Sequence, residues 1–454
     1  MERPISPPPA AAAAPHGLLR LLGVGFGVAV IVGSTLGVGI LRTPGLVAAQ
    51  VPSTANIFLV WIVGGIYTLL ASVCLTELGS MLPEAGGYYA YARRAFGDTV
   101  GFAVGWTDWL TYCAVLGYVS IAMGEFTVLL VPSLAGATKV VAVVMLLGFT
   151  GLQLAGVRVS SRFQQVTTAV KFVAFLLLVG ACLAHALTAG APADVEASAL
   201  AAPGFSGLVG ALQAVVVTYG GWQSALYFAE EDCNPQRNLP RSMIGGVAAV
   251  LVVYLLVNVA LMAVLPIATL AQSTLAAADA ARVVFGGGGA RVITLLSIVS
   301  LPPMLNAIMM IGSRIVFALG RDRLLWARTA QVSDGGTPVV ANGLTTAIAV
   351  VLIATGTFQT LVAVASVYLA ANCFVTCLAL IALRRREPET ARPFRAWGYP
   401  WSAYLVIAAG GAFLLGTIVG DPRTALSAVA LLVGGLVLRP FAARLAGVAE
   451  MTKA

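Results

Sequence analysis

Residues 33–40 read GSTLGVGI, in the middle of an apolar run from about residue 18 to 47. Gly33, Gly37 and Gly39 crowd a stretch flanked by the hydroxyls of Ser34 and Thr35. The run is long enough to cross a bilayer, and glycines weaken a helix. Weakening it at mid-depth is costly, because each unpaired backbone group in hydrocarbon costs several kcal/mol. Such a break is expected where freed backbone groups have something to bind, so residues 33–39 are the first candidate site. Gly33 and Gly37 also form a GxxxG, so a close helix–helix packing face is the competing reading.

Composition sets the class. The 454-residue chain is 59% hydrophobic and 10% charged, against about 25% charged in soluble proteins, and its mean hydropathy is +0.95. This is an all-α integral membrane protein. Twelve apolar runs read as transmembrane helices: 18–47, 54–78, 100–131, 137–156, 164–188, 207–230, 242–266, 290–319, 338–356, 359–383, 401–419 and 423–438. The last two are short and are split by a turn at Gly420, Asp421 and Pro422. Residues 1–15 are Pro- and Ala-rich, lack the apolar core of a signal peptide, and are expected to be a disordered tail.

Twelve spans put both termini on one side. With that side inside, inner loops and tails hold 19 of the 26 Lys and Arg residues and outer loops hold five. The remaining two, Lys171 and Arg314, fall within spans. Positive loops face the cytoplasm, so both termini are expected there. The same distribution accounts for the net charge of +8 without a nucleic-acid partner. The six cysteines are scattered, mostly through apolar runs, and read as small packing residues rather than a disulfide framework or a metal site.

The sixth span holds a second break, VVTYGGWQSA at 216–225. The two interrupted spans are five apart, and an odd offset gives the two halves opposite topology. Paired broken helices in inverted halves point to a central binding site. An unwound helix exposes N–H groups that suit a carboxylate and C=O groups that suit an ammonium. Two such breaks hold a zwitterion without any charged side chain.

Four stretches carry a family resemblance. IVGSTLGVGILRTP (31–44) resembles the first-span signature of the amino acid–polyamine–organocation permeases. TELGSMLPEAGGYYAYARRAFG (76–97) is similar to their second-to-third span connection. TYGGWQSALYFAEEDCNPQRNLPRS (218–242) resembles the sixth span of the L-type amino acid transporter branch, and RPFRAWGYPW (392–401) its tenth-to-eleventh connection. The resemblance implies a LeuT-type fold of two inverted repeats, 16–188 and 207–384, with two further helices over 401–438 and a cytoplasmic tail over 439–454. It implies secondary transport of amino acids by alternating access. Carried over, the Val38 and Gly39 N–H groups would hold the substrate carboxylate, the Thr35, Val217 and Gly220 carbonyls its amino group, and Gly37 would permit the break. Position 38 is often Ser and position 217 aromatic in relatives; Val at both bears on which substrate is preferred.

Polar residues inside spans are functional candidates. Lys171, about seven residues into the fifth span, either snorkels to the cytoplasmic surface or acts in transport. The resemblance places it where related transporters bind sodium, linking the fifth span to the break near Gly33. This implies a sodium-independent carrier, either an exchanger or one with a proton as coupling ion. Asp108 in the third span is expected to pair with Lys171, a hydroxyl, a water or Arg314. Trp222 and Gln223 line the pocket or pack in the core, and Asn306 and Asn372 face the pocket or clamp helices. Glu230, Glu231 and Asp232 are expected to form a solvated cluster beside Arg237 and Arg241.

A polyamine or cationic amine substrate is the alternative, and it would want a pocket carboxylate, for which Asp108 is the nearest candidate. No HExxH or GxSxG pairing points to an enzyme, no GxxxxGK[ST] loop to an ATP-driven pump, and no continuous polar stripe to a channel. No cofactor or metal is implied. L-type relatives in animals bind a partner through a cysteine in the third-to-fourth loop, and 132–138 has none, so no disulfide-linked accessory subunit is expected. The Ala/Gly/Arg-rich composition and short loops suggest a bacterial inner membrane.

Overall fold

A computed structural model describes residues 17–190 and 204–451; the tail expected at 1–15 lies outside them. The chain begins with α1 (Val24–Thr35) and α2 (Val38–Gln50), then α3 (Thr54–Met81), a short α4 (Tyr88–Phe96), α5 (Asp98–Leu130), α6 (Thr138–Leu154) and α7 (Val157–Ala189). It continues with α8 (Phe205–Thr218), a 3-10 segment (Trp222–Glu231), α9 (Pro235–Val264), the short α10 (Ile267–Gln272) and α11 (Ala276–Phe285), and α12 (Gly289–Arg321). The last four are α13 (Val339–Thr355), α14 (Phe358–Arg386), α15 (Trp401–Gly420) and α16 (Pro422–Met451).

Among the described residues, eight helical segments are long and apolar enough to cross a membrane, and α1 with α2 form a further pair bent by 48°. The protein is a multi-pass membrane protein. The remaining expected spans are α6 and α13, of 17 residues each, and α8 with its 3-10 continuation. Large apolar side chains stay exposed on outer faces, such as Leu59, Leu177 and Val433, as lipid contact requires. The final helix is longer than its apolar core suggests and runs past Arg439.

Helices early in the chain pack on later ones: α1 meets the 3-10 segment, α2 meets α8, α3 meets α9, α5 meets α12, and α6 meets α13, while α7 packs on α1, α9 and α12. The connections are tied to this bundle by charge. Glu77 at the end of α3 accepts two bonds from Arg384 of α14, at 2.8 and 2.5 Å, and one from the Ala396 backbone N–H at 2.7 Å. That carboxylate, fully buried, pins the 392–401 connection against the helices.

Candidate functional site

The two breaks lie side by side at the centre of the bundle. α1 stops at Thr35 and α2 restarts at Val38. The last carbonyls of α1 have lost their i+4 donors. Lys171 of α7 supplies one replacement, its Nζ donating to Gly33 O at 2.8 Å. Lys171 is wholly buried. Gly33 is glycine because α7 leaves no room there: a Cβ would lie 2.3 Å from Gln164 Nε2 and 2.6 Å from Thr168 Oγ1.

α8 ends at Thr218, and the chain turns at Gly221 with φ of +111°. A Cβ there would approach the Ser34 backbone to 2.8 Å, so conformation and space both demand glycine. Three hydroxyl contacts then bridge the breaks. Ser34 Oγ donates to Gly221 O at 3.0 Å or meets Ser224 Oγ at 2.8 Å. Thr43 and Thr218 pair through their hydroxyls at 2.7 Å. Tyr254 of α9 places its hydroxyl 2.8 Å from Thr35 O and 2.9 Å from Thr218 O, sharing one proton between the two.

A cavity of about 500 Å³ opens over this junction. Thr35, Gly37, Val38, Gly39, Val217, Gly220 and Gln223 all line it, and its mouth carries Arg42, Leu46 and Thr274. Among the described residues, Arg42 is its one charged lining side chain. At the start of α2 the Val38 and Gly39 N–H groups have no intrahelical acceptor, so the cavity meets a helix N-terminus suited to an anion. Thr35 Oγ1 is buried there without a hydrogen-bond partner. The carbonyls of Thr35 and Val217 already accept one bond each, from Tyr254 and from Gly220 N at 3.0 Å, and a carbonyl has a second lone pair to offer. Gln223 spans the second break, accepting from Gly221 N at 3.2 Å and donating to Tyr112 OH at 3.2 Å.

The other candidates lie away from the cavity. Trp222 packs into the apolar core and is not among the lining side chains. Asn306 joins an amide chain, donating to Gln164 Oε1 at 2.8 Å and accepting from Gln153 at 2.7 Å, which clamps α6, α7 and α12. Asn372 accepts from Thr107 at 3.0 Å. Asp108 is buried and accepts from Tyr227 OH at 2.8 Å; the hydroxyl, not Lys171 or Arg314, is its partner. The solvated acidic cluster is corrected: Glu231 is fully buried and takes Arg314 at 2.8 Å, while Glu230 takes Arg321 at 2.7 Å, and neither pairs with Arg237 or Arg241. Sequence reading missed Tyr254, Ser224 and Thr43. Tyr254 had a visible signal, a lone hydroxyl in the apolar run VLVVYLLV (250–257).

Two broken helices around a polar-floored cavity in a helical membrane bundle define a membrane transporter. The chain belongs to the amino acid permease family, which it matches over residues 27–436, and it is a carrier rather than an enzyme. It is 27% identical to the serine/threonine exchanger SteT of Bacillus subtilis over 420 residues, 89% of this chain and 93% of that protein. It is also 27% identical to the mouse b(0,+)-type amino acid transporter 1, over 89% of this chain and 84% of that one. The methylthioribose transporter of Bacillus subtilis is likewise 27% identical, over 80% of this chain and 81% of its own length.

Proposed function

We propose that the protein exchanges zwitterionic amino acids across the membrane by alternating access, without sodium. The observation that carries this reading is the Lys171–Gly33 contact beneath the cavity. A sodium ion seated between the first and fifth spans would need carbonyl oxygens at that break, and the ammonium already occupies one. The Val38 and Gly39 N–H groups receive the carboxylate, and the Thr35, Val217 and Gly220 carbonyls with Thr35 Oγ1 receive the amine. A cavity whose one charged lining side chain among the described residues is Arg42 argues against a polyamine, since no carboxylate among those residues lines it. Exchange is favoured by likeness to an exchanger; proton coupling through Lys171 is the second form of the reading.

In this reading the chain has twelve spans, with 16–188 and 207–384 as inverted repeats. The support is the contact between matching helices at four of the five span positions, α1–α2 with α8 and the 3-10 segment, α3 with α9, α5 with α12 and α6 with α13, together with the paired breaks expected of inverted repeats. Both termini are cytoplasmic in a bacterial inner membrane, so the cavity opening towards Arg42 faces outward. No disulfide-linked subunit is needed. Uptake into proteoliposomes in sodium and in choline media, with twenty amino acids as competitors, tests the proposal. Equal uptake in both media and acceleration by internal amino acid are expected; strict sodium dependence would overturn it.

A further inference from the structure

The 3-10 segment Trp222–Glu231 is ten residues long. Such runs rarely exceed three or four residues, because the hydrogen bonds are poorer and side chains three apart eclipse. At about 2.0 Å per residue it is roughly 5 Å longer than the same stretch at the 1.5 Å rise of an α-helix. The segment is drawn out between two anchors.

The near anchor is Gly221, whose carbonyl accepts from Ser34 Oγ and from Ser224 Oγ at 2.6 Å. The far anchor is Glu231. Its carboxylate takes Arg314 Nε at 2.8 Å and Nη2 at 3.0 Å, with both side chains wholly buried. Its carbonyl accepts from Leu21 N and Leu22 N at 3.0 and 2.9 Å, just before α1. Arg314 also lies over the Phe228 ring at 5.6 Å, and Phe228 meets Phe26 of α1 edge-on at 5.1 Å. One ion pair thus fixes the length of the half-helix and the aromatic plug between α1 and α12. A fully buried ion pair adds little net stability over apolar packing, whereas losing one partner is severe. Its use here is to select one arrangement over another.

We propose that Glu231 and Arg314 are positioning residues for transport: their pair latches the half-helix in its stretched form while the cavity is open towards Arg42. When the pair releases, residues 222–231 shorten towards an α-helix, Phe228 leaves Phe26, and the cavity opens on the opposite face. The inference rests on the alternating-access reading above. It adds which contact sets the balance between the two faces. Neither residue lines the cavity, so the pair acts on populations and not on substrate contacts.

The test places a reporter cysteine by Ala229→Cys in a Cys233→Ser background, because Ala229 is buried and Cys233 is exposed. Alkylation by an impermeant maleimide on the Cys233 face is measured together with KM on each face of oriented vesicles. Glu231→Gln should raise the alkylation rate about tenfold, raise KM on the Arg42 face and lower it on the other, as a population shift does. The charge reversal Glu231→Arg with Arg314→Glu should restore all three. A lower maximal rate with alkylation and both KM values unchanged would make the pair merely structural and overturn the proposal. Loss of amino acid transport by the parent protein would instead strike the functional reading. If the variants do not reach the membrane, spin labels on Cys233 and Glu389→Cys read the same motion with the pair intact. Two distance populations about 5 Å apart support the latch, and a single one unmoved by substrate overturns it.

Discussion

At Lys171 a single side chain replaces what a helix break removes. Its ammonium completes the Gly33 carbonyl inside the bundle, and an unsatisfied buried group costs about 1–3 kcal/mol. Lys171→Ala is therefore expected to lower the exchange rate by roughly tenfold or more, with folded protein still in the membrane; undiminished exchange in proteoliposomes would count against the contact having a transport role. In the proposed reading a carboxylate would approach the α2 N-terminus at Gly39. A Cβ there would lie 3.2 Å from Thr218 Cγ2, so it fits with a small shift, but a leucine side chain fills the space above the free N–H groups. Gly39→Leu should keep its melting temperature and lose amino acid binding by calorimetry. Trp222 is the opposite case. It packs in the core, so Trp222→Ala should destabilise the protein by about 3–5 kcal/mol while leaving the ranking of competing amino acids unchanged.

At the scale of elements, the site is a seam between two broken helices, and Tyr254 is its third wall. One hydroxyl serves the last carbonyl of α1 and the last of α8. Tyr254→Phe keeps the ring against Trp61 and Tyr219 and removes only that bridge. A typical hydrogen bond is worth about 0.5–1.5 kcal/mol net, so KM should rise by about three- to tenfold with little change in thermal stability. An equal KM in the variant would show that the Ser34 and Thr43 bridges hold the breaks by themselves. The glycine pattern pointed to both breaks through their matched positions in two spans, not through clustering alone, since Gly64–Gly65 and Gly245–Gly246 sit in unbroken helices. It did not announce which glycine is obligatory for conformation: Gly37 is extended at φ of −153°, while Gly221 takes the left-handed φ.

At the scale of the whole molecule, orientation is the property most open to a direct test. The bias of Lys and Arg towards one set of loops predicts that Cys233 lies on the cytoplasmic side. Cys233 is exposed and the other five cysteines are buried. An impermeant maleimide should therefore label inside-out vesicles and leave right-side-out vesicles unlabelled, and Cys233→Ser should abolish the signal. Labelling from the outside would invert the topology and with it the direction in which the cavity opens.

The sequence by itself determined the membrane class and located the two breaks. Those properties depend on local composition: apolar length, glycine clusters and loop charge are all carried by neighbouring residues. Tertiary structure decided the other partners. The resemblance had already linked Lys171 to the break near Gly33, 138 positions away, but nothing paired Glu231 with Arg314, 83 positions apart. Nothing in FAEEDCNPQR (228–237) distinguishes a buried carboxylate at Glu231 from a solvated one beside Arg237, because burial is set by α12 packing over it. Trp222 was ambiguous for the same reason. Its neighbours Gly221 and Gln223 face the cavity, and only the sharp turn at Gly221 and the 3-10 path that follows direct the indole into the core.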